Sequence, residues 1–221
     1  MTILEARRIC TEYYYKTNPS EEDSFLYTEA LKFLIEEAKD ADYMVELGGL
    51  YYESRQFDLA LKYYELAAEY NNLYAISNLG YIWYYGRTGE RNYEKAFYYF
   101  DKARQMGDII AAYKVADMYK NGYYVEQNEQ HAIHLYFAAM NVCMSDDYHG
   151  DAIADIDLRL GTAFLHSDVL EHDASNALFH LNRALTLFYQ RRKVDPFVKG
   201  LIQSTKELIA EATAELDEEV I

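Results

Sequence analysis

Small residues recur along this chain at a spacing that stacked helices explain. Ala96 lies inside Glu94-Lys95-Ala96-Phe97-Tyr98-Tyr99-Phe100, and 36 residues later Ala132 lies inside Gln130-His131-Ala132-Ile133-His134-Leu135-Tyr136-Phe137. The same distance upstream, Ala60 lies inside Asp58-Leu59-Ala60-Leu61-Lys62-Tyr63-Tyr64. A second small residue follows seven positions on each time, at Ala67, Ala103 and Ala139, and a fourth copy, Ala177 with Ala184, comes after a longer gap. Upstream of each pair stands another landmark: Leu47-Gly48, Leu79-Gly80, Val115-Ala116 and Leu160-Gly161. Three residues after each small one comes an aromatic, at Tyr51, Trp83, Tyr119 and Phe164.

Helix packing explains why those positions repeat. Alanines seven apart lie two turns apart on one helix face, and a small residue on a first helix lets its partner approach closely. The aromatic then fills the wedge between one pair and the next. A single hairpin of this kind cannot bury its apolar face alone, so copies must stack into a continuous core. The pattern predicts an all-α fold, a solenoid of helix-pair repeats with four copies over residues 41–190.

The flanks extend the array. Residues 2–16 and 22–39 read as one more helix pair, making an N-terminal segment over 1–40, with Ser20 or Pro19 opening its second helix and Glu21, Glu22 and Asp23 at the positive end. Asp195-Pro196 reads as a cap and first-turn proline, and Phe197, Val198, Leu201, Ile202, Leu208, Ile209 and Leu216 recur at helical spacing. Residues 196–218 are therefore expected as a capping helix within a C-terminal segment, 191–221, that ends in an acidic tail, the whole forming one continuous domain. The gap between the third and fourth copies is nine residues longer than the period and holds Ser145-Asp146-Asp147-Tyr148-His149-Gly150-Asp151. Two longer helices around a polar turn would account for it, and so would a projecting loop used in recognition.

At these residues the chain resembles the Sel-one-like repeat (SLR) proteins, relatives of the tetratricopeptide repeats with a longer loop inside each helix pair. The family pattern runs aromatic-x-x-Gly, a small-or-Val pair, Asp or Asn opening the second helix, then Ala. Here it reads Trp83-x-x-Gly86, Thr88-Gly89, Asn92, Ala96, and again Tyr119-x-x-Gly122, Tyr124-Val125, Asn128, Ala132. The fourth copy is degenerate, with Ser167 in the glycine position and Asp173 before Ala177. The first runs nine residues from Tyr51 to Ala60 where later copies take thirteen, closer to a plain tetratricopeptide hairpin. The resemblance covers roughly residues 41–190. It implies an elongated, right-handed superhelix with a concave groove and a role in protein–protein interaction; a bacterial protein is part of the leading expectation.

Charge narrows the partners. The chain carries a net charge of −16, and its one dense basic run is Arg191-Arg192-Lys193 at an apparent helix junction. Gripping phosphates needs clustered cations, so nucleic acid is not expected as a partner. The acidity reads either as solubility or as the signature of a basic partner. Cys10 and Cys143 match no metal or redox spacing, the N-terminus lacks a signal-peptide pattern, and no stretch is long enough to span a bilayer. The expectation is a cytoplasmic protein without a membrane or cofactor requirement.

No nucleophile, phosphate-loop or dinucleotide motif is present, so no enzymatic activity is expected. His131 and His134 sit three apart without a third ligand in sequence, and His166, His172 and His180 with Asp168 and Asp173 match no metal signature. The 24 tyrosines say more. First helices line the groove in the implied architecture, and Tyr52, Tyr74, Tyr81, Tyr84, Tyr85 and Tyr113 would face it, beside Asn78, Lys114, Asp117, Lys120, Arg159 and His166. These rings are either packing residues or a protein- or peptide-binding surface, since tyrosine gives large contact area at low entropic cost. The leading expectation is a scaffold binding a peptide or protein segment; the alternative is an immunity-type or regulatory protein neutralising a basic partner.

Overall fold

The computed structural model describes residues 1–145, 152–192, 195 and 198–219. Among them are eleven α-helices and no strand. The chain divides into two compact units, Met1–Met106 and Gly107–Ile221, the boundary falling inside the array expected as one continuous domain.

The first unit holds α1 (Ile3–Tyr14), α2 (Glu21–Ala38), α3 (Ala41–Glu53), α4 (Phe57–Glu69), α5 (Leu73–Tyr85) and α6 (Tyr93–Gln105), each packed on the helix before it in the chain. Reciprocal capping boxes open α1, from Thr2 and Glu5, and α2, from Ser20 and Asp23. Ser20 is thus the cap, with Pro19 preceding it. Asp40, Asn72 and Asn92 cap α3, α5 and α6 by accepting a backbone N–H in the first turn, each such cap contributing about 1 kcal/mol. The core runs through Leu31, Leu34, Leu47, Ala60, Ala67, Leu79, Ala96 and Ala103, all fully buried.

The paired landmarks meet in a specific way. What sits against Gly48 and Gly80 is the large side chain four residues after the first alanine of the partner helix. A Cβ on Gly48 would lie 2.7 Å from Tyr64 Cε1, and one on Gly80 would lie 2.5 Å from Phe100 Cδ1. Inside the hairpin, the backbone N–H of the residue opening the second helix donates to the carbonyl of the landmark aromatic: Gln56 to Tyr51 at 2.8 Å and Asn92 to Trp83 at 3.0 Å. The connection between them is residues 54–56 in the first copy and 86–92 in the second. Gly86 ends α5 at φ +64°, a conformation that glycine adopts freely, and a side chain there would also meet the Arg91 backbone at 2.8 Å.

The second unit repeats the scheme with α7 (Ile109–Asn121), α8 (Glu129–Ser145), α9 (Ala152–His166), α10 (Ala174–Arg191) and α11 (Val198–Glu219). Asn128 donates to Tyr119 at 2.9 Å and Asp173 to Phe164 at 3.0 Å, so the degenerate fourth copy closes its loop like the others. A Cβ on Gly161 would lie 2.6 Å from Leu181 Cγ. Between the third and fourth copies, α8 has 17 residues and α9 has 15, against 13 in α7. The polar turn at 146–151 lies outside the described residues, as do Lys193 of the basic run and Pro196 and Phe197 of the expected cap. From Val198 onward α11 packs on α10 and α9 through Ile202, Leu208, Ile209, Ala212 and Leu216, the position of a cap. No helix among the described residues is long and apolar enough to cross a membrane.

Candidate functional site

In the first unit, the sequence-predicted tyrosines gather at the C-terminal end of α5. Tyr81 stacks on Tyr85 with centroids 6.1 Å apart and meets Phe100 edge-on at 5.2 Å. Tyr84 meets Tyr85, Tyr93 and Phe100 at 5.1, 5.7 and 6.1 Å. Each contact is of the offset or edge-to-face kind that aromatic quadrupoles favour. Phe100, which fills the space over Gly80, anchors the network to the core; Tyr81 and Tyr84 are half-buried and Tyr85 is exposed. Helical spacing brings this about, since positions 81, 84 and 85 fall on one face.

Tyr52, at the end of α3, joins this network through a residue that sequence reasoning missed. Arg87 follows Gly86 in the loop, donates from Nε to Tyr52 Oη at 2.9 Å, and has its guanidinium carbon 5.0 Å from the Tyr85 ring centroid and 5.7 Å from those of Tyr52 and Phe57. The available signal was an arginine directly after Tyr84-Tyr85-Gly86. Tyr74, 69% exposed, stands at the opposite end of α5, about 16 Å along the axis from Tyr85. Asn78 is half-buried between these ends.

In the second unit the structure gathers Tyr113, Lys114, Asp117 and Arg159 into one buried cluster. Asp117 accepts from Arg159 Nε and Nη2, both at 2.5 Å, and from Tyr136 Oη at 2.7 Å. Lys114 Nζ lies 3.9 Å from its Oδ2, and the Arg159 guanidinium rests 4.6 Å over the Tyr113 ring. Arg159 also donates to the Asp155 carbonyl at 2.7 Å, and Asp155 in turn takes Arg191 at 2.8 Å. Tyr136 and the Asp155–Arg191 pair were not anticipated from sequence.

The electrostatics follow from burial and pairing. Burial pushes the Asp117 carboxyl up, but the Arg159 guanidinium outweighs it and holds the group below the usual carboxylate range. Burial, reinforced by the Asp117 charge, pushes the Tyr136 phenol above its ordinary value. Burial draws the Lys114 amine down even though Asp117 opposes the shift. The cluster is thus an ionised Arg–carboxylate pair with a neutral phenol beside it.

Lys120 is half-buried at the end of α7, its carbonyl accepting from Gln127 at 3.0 Å. His166, exposed at the end of α9, pairs with Glu211 of α11 at 2.8 Å; it is about 10 Å along α9 from Arg159 and outside the cluster. His172 pairs with Glu215 at 2.8 Å, and His180 with buried Asp157 at 2.8 Å, where Arg183 supplies the second donor. His131 and His134 stack at 6.5 Å. Among the described residues no three His, Cys, Asp or Glu side chains form a metal-binding group.

Comparison with known proteins supplies the rest. The family model described as the Sel1 repeat matches residues 41–72, 73–108 and 109–139; these are α3–α4, α5–α6 and α7 with most of α8. Among solved structures, a Sel1 repeat protein from Oxalobacter formigenes superposes with a TM-score of 0.64 at 21% identity, covering 83% of this chain and 71% of that one. A protective antigen present in uropathogenic Escherichia coli strains, with an SLR fold, superposes with a TM-score of 0.61 at 16% identity. That match covers 95% of this chain, which spans 45% of the antigen's length. At these identities the likeness is one of fold. No curated protein matches the sequence significantly.

Proposed function

We propose that this chain, whose residues 41–139 carry three Sel1 repeats of a kind that are generally protein-interaction scaffolds and typically not enzymes, holds a protein or peptide segment on its tyrosine-bearing first helices. The observation that carries this reading is the aromatic network at the end of α5, where Tyr81, Tyr84 and Tyr85 are tied to the core through Phe100 and to Tyr52 through Arg87. Rings held in place lose little entropy on binding, and both Tyr85 and Tyr74 are exposed to solvent. Asn78 adds a hydrogen-bonding group on the same helix. In the second unit Tyr113, Lys114, Asp117 and Arg159 would stiffen the corresponding face, with Lys120 and His166 as its more accessible members. Unbridged Cys10 and Cys143 fit a reducing compartment, and the cytoplasm is part of this reading.

The net charge of −16 favours a second reading, in which the acidic surface neutralises a basic partner. Salt separates the two. Capture of partners on the purified protein at low and high ionic strength, with identification by mass spectrometry, is the test. Aromatic binding persists at high salt, because it owes little to long-range charge; a partner held by the acidic surface is lost as the Debye length shrinks.

A further inference from the structure

Arg87, in the first unit, is a cation held by aromatic side chains. Three rings from three parts of the chain surround it: Tyr52 closing α3, Phe57 opening α4, and Tyr85 closing α5, with centroids 5.0–5.7 Å from the guanidinium carbon. Nε–H is taken by Tyr52 Oη at 2.9 Å. The donors on Nη1 and Nη2 make no hydrogen bond, and Arg87 makes no ion pair, among the described residues, although the chain has 37 acidic side chains. Arg87 itself is exposed. The backbone fixes its root, since Gly86 ends α5 in the left-handed conformation and Arg87 N–H donates to the Ile82 carbonyl at 3.0 Å.

A guanidinium is a planar fork whose paired donors match the two oxygens of a carboxylate. A free surface arginine must give up rotamer freedom to use that fork, whereas stacking on Tyr85, Tyr52 and Phe57 has already restricted Arg87. The rings also lower the local dielectric, which strengthens an ion pair formed there. We propose that Arg87, with its collar of Tyr52, Phe57 and Tyr85, is a carboxylate-recognition point on the first unit, receiving an Asp or Glu side chain or a chain-end carboxylate of the bound segment. The assignment rests on the scaffold reading above and narrows it. An otherwise acidic protein repels an acidic partner, so the segment it selects carries a single well-placed carboxylate in a neutral or basic context.

The side-chain Nε–H resonances of the arginines in the intact protein test this by NMR. Acetate is titrated first, with acetamide as the uncharged control and Arg55, an exposed arginine of the same unit with no hydrogen bond or ion pair from its side chain, as the internal reference. Arg87 is expected to shift and saturate at a concentration about tenfold below Arg55, and acetamide is expected to shift neither. N-acetylalanine and the α-amide of N-acetylglutamate then distinguish a chain-end from a side-chain carboxylate, and saturation by either supports the site. Tyr85→Ala and Tyr52→Phe, which loosen the collar, should weaken acetate binding at Arg87 several-fold while the circular dichroism spectrum is unchanged. Arg87 behaving like Arg55, or inorganic phosphate binding more tightly than every carboxylate, would overturn the proposal. Because partner capture is measured separately, a failure here leaves the scaffold reading standing, and a loss of partner by tyrosine variants with acetate binding intact points the other way.

Discussion

Tyr136 of α8 donates its phenol to Asp117 of α7 at 2.7 Å, and the same carboxylate is forked by Arg159 of α9. The third repeat thereby ties both its helices to the fourth through one buried charge. Tyr136 occupies the place held by Tyr64, Phe100 and Leu181 in the other copies, four residues after the first alanine. Its hydroxyl is what distinguishes it from Phe100, and Asp117 is the acceptor that hydroxyl needs.

Removing a donor from a buried carboxylate costs more than removing a neutral hydrogen bond. Tyr136→Phe keeps the ring and should destabilise the protein by about 1.5–3 kcal/mol. Arg159→Met leaves the Asp117 charge without its main partner and should cost about 3–5 kcal/mol. Chemical denaturation followed by circular dichroism measures both, and the arginine variant is expected to be the weaker of the two.

The pH dependence follows from the same pair. The Asp117 carboxyl is held below its ordinary range in the fold, so the unfolded chain binds its proton first as pH falls. The stabilisation is complete above the unfolded value of about 3.9 and disappears as pH drops through the lower folded value. Asp117→Asn should therefore lose less stability than the parent between pH 5 and pH 3, in addition to being weaker at neutral pH. Denaturant midpoints across that range provide the comparison.

Lys114 acts in the opposite sense. Burial draws its amine below the ordinary lysine value, so the protonated form costs stability wherever the unfolded chain keeps its charge, which includes neutral pH. Lys114→Met should melt no lower than the parent and gain up to about 1 kcal/mol. If it also binds its partner less tightly, the charge is being kept for binding at the expense of stability.

At Gly80 a single methyl is expected to be too much. Its Cβ would stand 2.5 Å from Phe100 Cδ1, and the resulting overpacking of about 1–3 kcal/mol exceeds the roughly 0.5–1 kcal/mol that alanine gains over glycine in a helix. Gly80→Ala should unfold more easily, as reported by Trp83, the sole tryptophan. Adding Phe100→Leu should recover part of the loss, giving a coupling that independent sites would not show.

The repeat and its loops were legible because they are spelled in residue types. Alanines at 60, 96, 132 and 177, a small residue upstream and an Asx cap at Asn92, Asn128 and Asp173 answer to backbone geometry alone, and each recurs. The side chain over the small residue was missed: Tyr64, Phe100, Tyr136 and Leu181 share bulk and a position four residues after the first alanine, but bulky apolar residues are common on these helices and do not stand out as the small ones do. Arg87 was hidden for another reason. Its three rings come from positions 52, 57 and 85 and converge only once the hairpins stack. Lys114, Asp117 and Arg159 were picked out as polar residues on first helices, but sequence does not reveal that they bury one another rather than stand in solvent.

The central claim is that exposed tyrosines on the first unit's first helices hold a protein partner. The most direct test is the affinity of a captured partner for the Tyr74→Ala, Tyr85→Ala double variant at low and high salt, with the melting temperature as a control. The account predicts a loss of about tenfold or more at both salt concentrations, with the fold retained. Unchanged affinity in the variant, with binding abolished by salt in the parent, would contradict it and assign the interaction to the acidic surface.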